Sequence, residues 1–337
     1  MIRKNKTNSE EHLYRVIVPE AFRIAWARRY VWPLALFAGV LFTGGIYDVL
    51  LSTFREAESA SIAVTTGGIP PALVLFWKGI TTASNAISVL GLIQSVTVAV
   101  LIVATVVGIS IISQGALIFG IGGKTGNRAP LFTESLAVGA HYAWRIFALN
   151  AITLSLAWLA KFLFIIPYGL SQTNPTASLQ ILTIIGSSIF AFITIALAAI
   201  HFFALSAIIL EDAHITQALE QALKLLKKGW LNVLEIGSVL LLVGAGLLIA
   251  GLIAFVLMAL PMILLMAVAA VMNINIGVYI GFILFTLLFL STSLIAGMLA
   301  VTFQYAAWHQ LYVRLGKGEA IPKIHRLWFS LTRSSQA

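Results

Sequence analysis

Six apolar runs, at 31–51, 89–118, 146–170, 179–210, 231–260 and 276–305, dominate this 337-residue chain. A helix needs about 20 apolar residues to cross the hydrocarbon core of a bilayer, and each run supplies that length. Composition agrees: 60% of residues are hydrophobic, 10% are charged and the mean hydropathy is +1.00. A soluble domain carries about 25% charged residues, and disorder needs low hydrophobicity with high charge. Both classes are excluded. The expected fold class is all-α, a polytopic transmembrane helical bundle of six spans. Several runs exceed the required length, so those helices must tilt, bend or emerge from the lipid. Pro261 follows the fifth run, and the apolar stretch 262–272 is too short to cross alone. It reads as a bent continuation or a re-entrant piece, because a seventh span would put the charged C-terminus on the far side.

Charge sets the expected orientation. Eighteen of the 21 Lys and Arg fall on one side of the six spans: the N-terminal segment, the second and fourth connections, and the tail. The other side holds Arg55 and Lys78, and Lys161 lies within a span. By the positive-inside rule both termini are cytoplasmic. The net charge of +9 is thereby a topology signal. Nucleic acid is not an expected partner, since that would need a basic soluble face. The polar N-terminus runs from 1 to 12, the membrane domain from 13 to 315 and the basic cytoplasmic tail from 316 to 337. The first apolar run is long and has no small-residue cleavage site, so a removable signal peptide is not expected.

The segments that precede the odd-numbered spans resemble one another. They read Pro19-Glu20-Ala21-Phe22 with Ala25, Thr133-Glu134-Ser135-Leu136 with Gly139, and Thr216-Gln217-Ala218-Leu219 with Ala222. Each leads to basic residues and a Trp: Arg28, Arg29 and Trp32; Trp144 and Arg145; Lys227, Lys228 and Trp230. In the third copy Ile215, Ala218, Leu219, Ala222, Leu223 and Leu226 share one helical face, opposite Gln217, Glu220, Gln221, Lys224 and Lys227. Such a helix lies in the headgroup plane with its lysines toward anionic lipid. Thr133 and Thr216 suit N-cap positions, and Glu20 and Glu134 suit the positive end of a helix dipole. The expected unit is an interfacial helix and two spans. It occurs as three parallel repeats at about 13–118, 132–210 and 214–312.

These openings, the six spans and the ending Phe303-Gln304-Tyr305-Ala306-Ala307-Trp308-His309-Gln310-Leu311-Tyr312 resemble a bacterial family. It is the six-span group related to the membrane domain of glycerophosphodiester phosphodiesterases. Some members carry a catalytic barrel. None accompanies the spans in this sequence, so the resemblance implies an architecture without that activity.

Catalytic and metal-binding patterns are sparse. There is no cysteine, which excludes thiol nucleophiles and Cys-ligated metals. The segment Gly120–Gly126 has Gly-Lys-Thr at 123–125 but Ile118 where a P-loop needs its first glycine, and it reads as a cytoplasmic turn. The connection at 53–88, with Arg55, Glu56, Glu58 and Trp77, reads as an outer loop holding a short interfacial helix. Residues 321–328 read as a surface anchor. Gly246-x-x-x-Ala250 and Gly277-x-x-x-Gly281 permit close helix approach, expected within the molecule. Four intramembrane polar residues are the candidate contacts. Asp48 lies 16 residues past Trp32 and Lys161 lies 16 past Arg145, so both stand about 24 Å from the cytoplasmic mouth of their spans. His201 and Glu235 are expected to meet near the inner edge.

No cofactor is expected, and the partners expected are the lipid bilayer and a further membrane protein. The chain reads as a non-enzymatic, multi-pass protein of the cytoplasmic (inner) membrane. Its role would be in envelope or lipid organisation, or that of an accessory subunit. The alternative is a transporter or channel with its pathway among the spans, using groups such as Gln94, Gln114 or Asn150.

Overall fold

The computed structural model describes residues 13–41, 89–123, 128–173, 176–272 and 275–318. Asp48, the 53–88 connection, Lys124 to Gly126 and the anchor at 321–328 lie outside the described residues. The elements are α1 (Leu13–Ala27), a 3-10 turn (Arg29–Val31), α2 (Trp32–Leu41), α3 (Val89–Gly122), α4 (Phe132–His141), α5 (Ala143–Thr173), α6 (Ala177–Glu211), α7 (Ile215–Val271) and α8 (Asn275–Lys317). Among the described residues five helices, α3 and α5 to α8, are long and apolar enough to cross a membrane. The protein is an all-helical integral membrane protein. The helices outrun the apolar stretches in the sequence, because helical hydrogen bonding does not stop where hydropathy falls.

α7 shows this most clearly. It has 57 residues and one non-helical position, Gly229 (φ −125°, ψ 28°). That kink separates a leading segment, 215–228, from the long span beyond it. Pro261 removes one hydrogen bond, to the Leu257 carbonyl, yet the helix runs on to Val271. The stretch 262–272 is therefore a continuation and not a re-entrant piece. From Trp230 to Val271 the helix measures about 60 Å, and the 43 residues of α8 about 64 Å. Both are roughly twice the bilayer core. No Asp, Glu, Lys or Arg lies between Glu235 and Arg314. The hairpin must tilt or bend to keep that surface in lipid.

α3, α6 and α8 touch one another at the centre, while α2 packs on α3 and α8, α5 on α6 and α3, and α7 on α6 and α8. α1 rests on α8, and α4 rests on α3. The buried core occupies the half that carries these leading helices. There Phe202 stacks on Trp308 at 5.8 Å and meets Tyr305 edge-on at 4.8 Å. In the far half, side chains such as Leu101, Val103, Leu264 and Phe282 are exposed, as lipid-facing residues should be.

The leading helices are seated by small residues. Ala21 and Ala25 on α1, Ser135 and Gly139 on α4, and Ala218 and Ala222 on α7 are all buried. Gly139 shows why size matters: a Cβ there would meet the backbone carbonyl of Ile112 and lie 2.7 Å from the Ala116 nitrogen. α3 receives Gly139 with a small pair of its own, Gly115-Ala116, and α6 and α8 carry buried small pairs too, Ser206-Ala207 and Ala306-Ala307.

Two local expectations are corrected. Thr133 and Thr216 are not N-caps; both stand second inside their helices, which begin at Phe132 and Ile215. The N-terminal groups are satisfied from the third position instead. Leu131 N–H donates to Glu134 Oε2 at 2.8 Å, and His214 N–H donates to Gln217 Oε1 at 3.4 Å, the return half of a capping box. Glu20 is not at a helix start either, since α1 begins at Leu13 and contains Pro19. Its carboxylate accepts from Arg314 Nη2 at 2.9 Å.

Candidate functional site

The polar groups of the bundle form two layers, one at the C-terminal ends of the central helices and one inside the spans. A helix ends with carbonyls that lack partners and with partial negative charge, so cations are favoured there. Each central helix has such a cation close to its end. The carbonyl of Gly120, in the last turn of α3, accepts from Arg28 Nη1 and from the Tyr30 hydroxyl, the latter at 3.2 Å. At the end of α6, Arg145 Nη1 donates to the Asp212 carboxylate at 2.7 Å and to the Asp212 and Ala213 carbonyls at 3.2 and 3.4 Å. Beyond α8, Lys228 Nζ stands 4.0 Å from where a Cβ on Gly318 would be. Each cation comes from the mouth of the first span in the same helical hairpin. The sequence shows these residues only as topology signals, because Arg28 and Arg145 reach backbone carbonyls, and Arg145 also a carboxylate, 67 to 92 residues away.

Asp212 carries this arrangement at the α6–α7 turn. It has a left-handed backbone (φ 52°), a conformation aspartate tolerates better than most residues. The Arg145 hydrogen bond, joined by one from Tyr142, holds its carboxyl below the usual carboxylate range. Arg145 also lies 5.2 Å from the centre of the Tyr142 ring. The segment Gly120–Gly126 is thus no free turn at its start: residues 120–122 are helical and grip the first hairpin.

Inside the spans, polar side chains meet one another. Asn150 Nδ2 donates to Gln114 Oε1 at 2.8 Å, and Gln114 Nε2 returns a bond to Asn150 Oδ1 at 3.4 Å. This amide pair joins α3 to α5. Nearby, Thr153 Oγ1 lies 3.2 Å from Nδ1 of fully buried His201, joining α5 to α6. Gln94 is exposed on α3, apart from this pair.

Of the four intramembrane candidates, Lys161 is 7% exposed, with Nζ 4.8 Å from the centre of the Trp158 ring. Its expected partner Asp48 lies outside the described residues. His201 bonds Thr153, and Glu235 is half-buried on α7. A Cβ on Gly237 would lie 3.4 Å from Ile195 Cγ1, so α6 and α7 approach closely there. Of the two glycine motifs, Gly281 packs on Met266 within the α7–α8 hairpin, whereas Gly246 has no neighbour within 4 Å. The Gly246 motif therefore faces outward, against expectation.

Among the described residues, apolar grooves open on the flanks. One lies between α5 and α6, about 490 Å³, beside Leu159 and Ile193. Another lies between α6 and α7, about 420 Å³, beside Phe192 and Trp230. The third, about 360 Å³, lies among α1, α7 and α8. A polar depression of about 470 Å³ at the leading-helix end is lined by Glu211, Gln221, Lys224, Tyr312 and Lys317. Among the described residues no three His, Asp or Glu side chains gather as a metal site requires. The chain matches no family model, and no curated protein or solved structure is significantly similar to it.

Proposed function

We propose that this is a non-enzymatic, six-span protein of the cytoplasmic membrane that organises lipid around a ring of interfacial helices. Its termini are cytoplasmic, and its three hairpins are parallel repeats, in keeping with the six-span family it resembles. The repeat is supported by the shared small-residue seats and by the cation at the end of each central helix. The observation that carries the functional reading is the way the leading helices present themselves. Their small residues are buried, while Phe22, Trp26, Leu136 and Leu223 on them, and Trp144 and Trp230 at the mouths of the spans, stay exposed. Exposed aromatic and basic residues at one level suit the interface between headgroups and acyl chains. Transport is weighed down by the same structure: Gln114 and Asn150, which a polar pathway would use, bond each other instead.

The test is reconstitution of the full chain in vesicles of mixed phosphatidylglycerol and phosphatidylethanolamine. Lipid retained by the protein should be enriched in phosphatidylglycerol. Replacing Arg23, Arg29, Lys224 and Lys227 with Gln should remove the enrichment at an unchanged melting temperature. Absence of enrichment in the wild type, or solute flux above that of empty vesicles, would overturn the reading.

A further inference from the structure

We infer that the groove among α1, α7 and α8 is a binding site for one anionic phospholipid, with an acyl chain in the groove and its phosphate held by Arg15 and Arg23. The inference rests on the lipid-organising reading above and gives it a specific address. Val18, Pro19 and Phe22 of α1 form one wall of the groove, and Val243 and Leu247 of α7 and Ala300 of α8 help to form the rest. A wall built only from apolar side chains accepts hydrocarbon.

What distinguishes this groove is a pair of guanidiniums beside it, where the α6–α7 groove has the ammonium of Lys227 next to Leu226. Arg15 precedes Val18, Pro19 and Phe22 by three, four and seven residues, so it lies on the same face of α1. Arg23 follows Phe22 directly and stands one turn beyond Pro19. Among the described residues neither guanidinium has a carboxylate partner. The single acid on α1, Glu20, is taken by Arg314 at 2.9 Å. Arg28, by contrast, is committed to the end of α3.

The level is also right. Phe22 stacks on Trp26 at 6.4 Å, Trp26 meets Trp32 at 5.8 Å, and Arg29 lies 5.1 Å from the Trp26 ring centre. Such a cluster of aromatic rings and a guanidinium belongs in the headgroup layer. Two unpaired guanidiniums at that level, on the edge of an acyl-sized groove, complement a phosphate ester that carries net negative charge.

The experiment uses phosphatidylglycerol and phosphatidylcholine carrying a photoreactive group in one acyl chain, each added to proteoliposomes of the full chain. In the wild type, phosphatidylglycerol should label the peptides around 243–247 and 296–303 several-fold more than phosphatidylcholine does. Arg15→Gln with Arg23→Gln should bring phosphatidylglycerol labelling there down to the phosphatidylcholine level. Ala300→Phe, which fills the groove, should suppress labelling at these peptides by both lipids but not on the far half of α8. Equal labelling by the two lipids in the wild type would overturn the site without any variant being made. So would unchanged labelling in either variant. Phosphatidylglycerol enriched on the protein as a whole but not in this groove would overturn the site alone. No enrichment anywhere would overturn the broader reading as well.

Discussion

At the scale of single residues, the bundle depends on where it leaves side chains out. Gly139 has backbone atoms of Ile112 and Ala116 at the place a Cβ would occupy, and backbone cannot rotate aside. Gly139→Val should destabilise the protein by about 1–3 kcal/mol, the usual cost of overpacking, and should loosen α4 from α3. Gly246→Ala, where nothing lies within 4 Å, should leave stability nearly unchanged. Thermal unfolding in detergent compares the two. Charge inside the spans gives a second residue-scale prediction. Asp48→Asn should destabilise the protein less in a Lys161→Met background than in the wild type, because their equal distance from the spans' mouths would let them pair. Equal losses in both backgrounds would show that they do not interact. Asp212 gives a third. Its folded pKa is lowered by Arg145 and Tyr142, so its contribution is present above the unfolded value, about 3.9, and is lost as pH falls through the lower folded value. Arg145→Gln should therefore move the acid limb of the unfolding profile to higher pH, while a profile unchanged below pH 5 would show that the pair is silent.

At the scale of elements, the leading helices are fastened by different means. α4 and the start of α7 return a Glu or Gln side chain to their own N-terminal N–H, whereas α1 uses its equivalent, Glu20, to reach Arg314 on α8. The two side chains of that pair are 29% and 25% exposed, so its coupling should be about 0.5–1 kcal/mol. A double-mutant cycle of Glu20→Gln and Arg314→Met would measure it, and strictly additive losses would remove the pair from the account of α1. The elements also show what the sequence could reveal. Apolar runs announce helices because lipid forbids an unpaired backbone, so the described spans were legible from 89 onward. The continuation of α7 past Pro261 was only one of two readings, because the same residue ends helices in water and is tolerated in them in lipid. Gly115-Ala116, Ser206-Ala207 and Ala306-Ala307 were not legible, because they gain meaning only when a second helix lies across them. The candidate site divided along the same line. His201 stood out as a polar residue in an apolar run, while the role of Arg28 depended on a carbonyl that no side-chain pattern encodes and that of Arg145 on a carboxylate 67 residues away.

For the whole molecule, the decisive measurement is sidedness. The chain has no cysteine, so single cysteines at Ser59 and Ser334 can be read without background. A membrane-impermeant thiol reagent added to intact cells should label the first and spare the second. Labelling of both from outside would overturn the cytoplasmic termini and the parallel repeats with them.

The central place of α8 has a consequence for how the molecule is made. α8 is the last described helix to leave the ribosome, yet α1, α2, α3, α6 and α7 all pack on it. Until it inserts, the face of α1 that carries Ile17, Ala21 and Ala25 has no seat, and Glu20 is 294 residues short of its partner. The earlier hairpins can enter the bilayer one by one, but α1, α2, α3, α6 and α7 then lack the faces they bury on α8. Truncation before about residue 300 should therefore not yield a smaller version of the same protein. It should yield two hairpins and α7 held only by the contacts of α3 and α7 with α5 and α6, with α1 off its seat and the whole open to quality-control proteolysis. Assembly here waits on one helix, and is decided when α8 arrives.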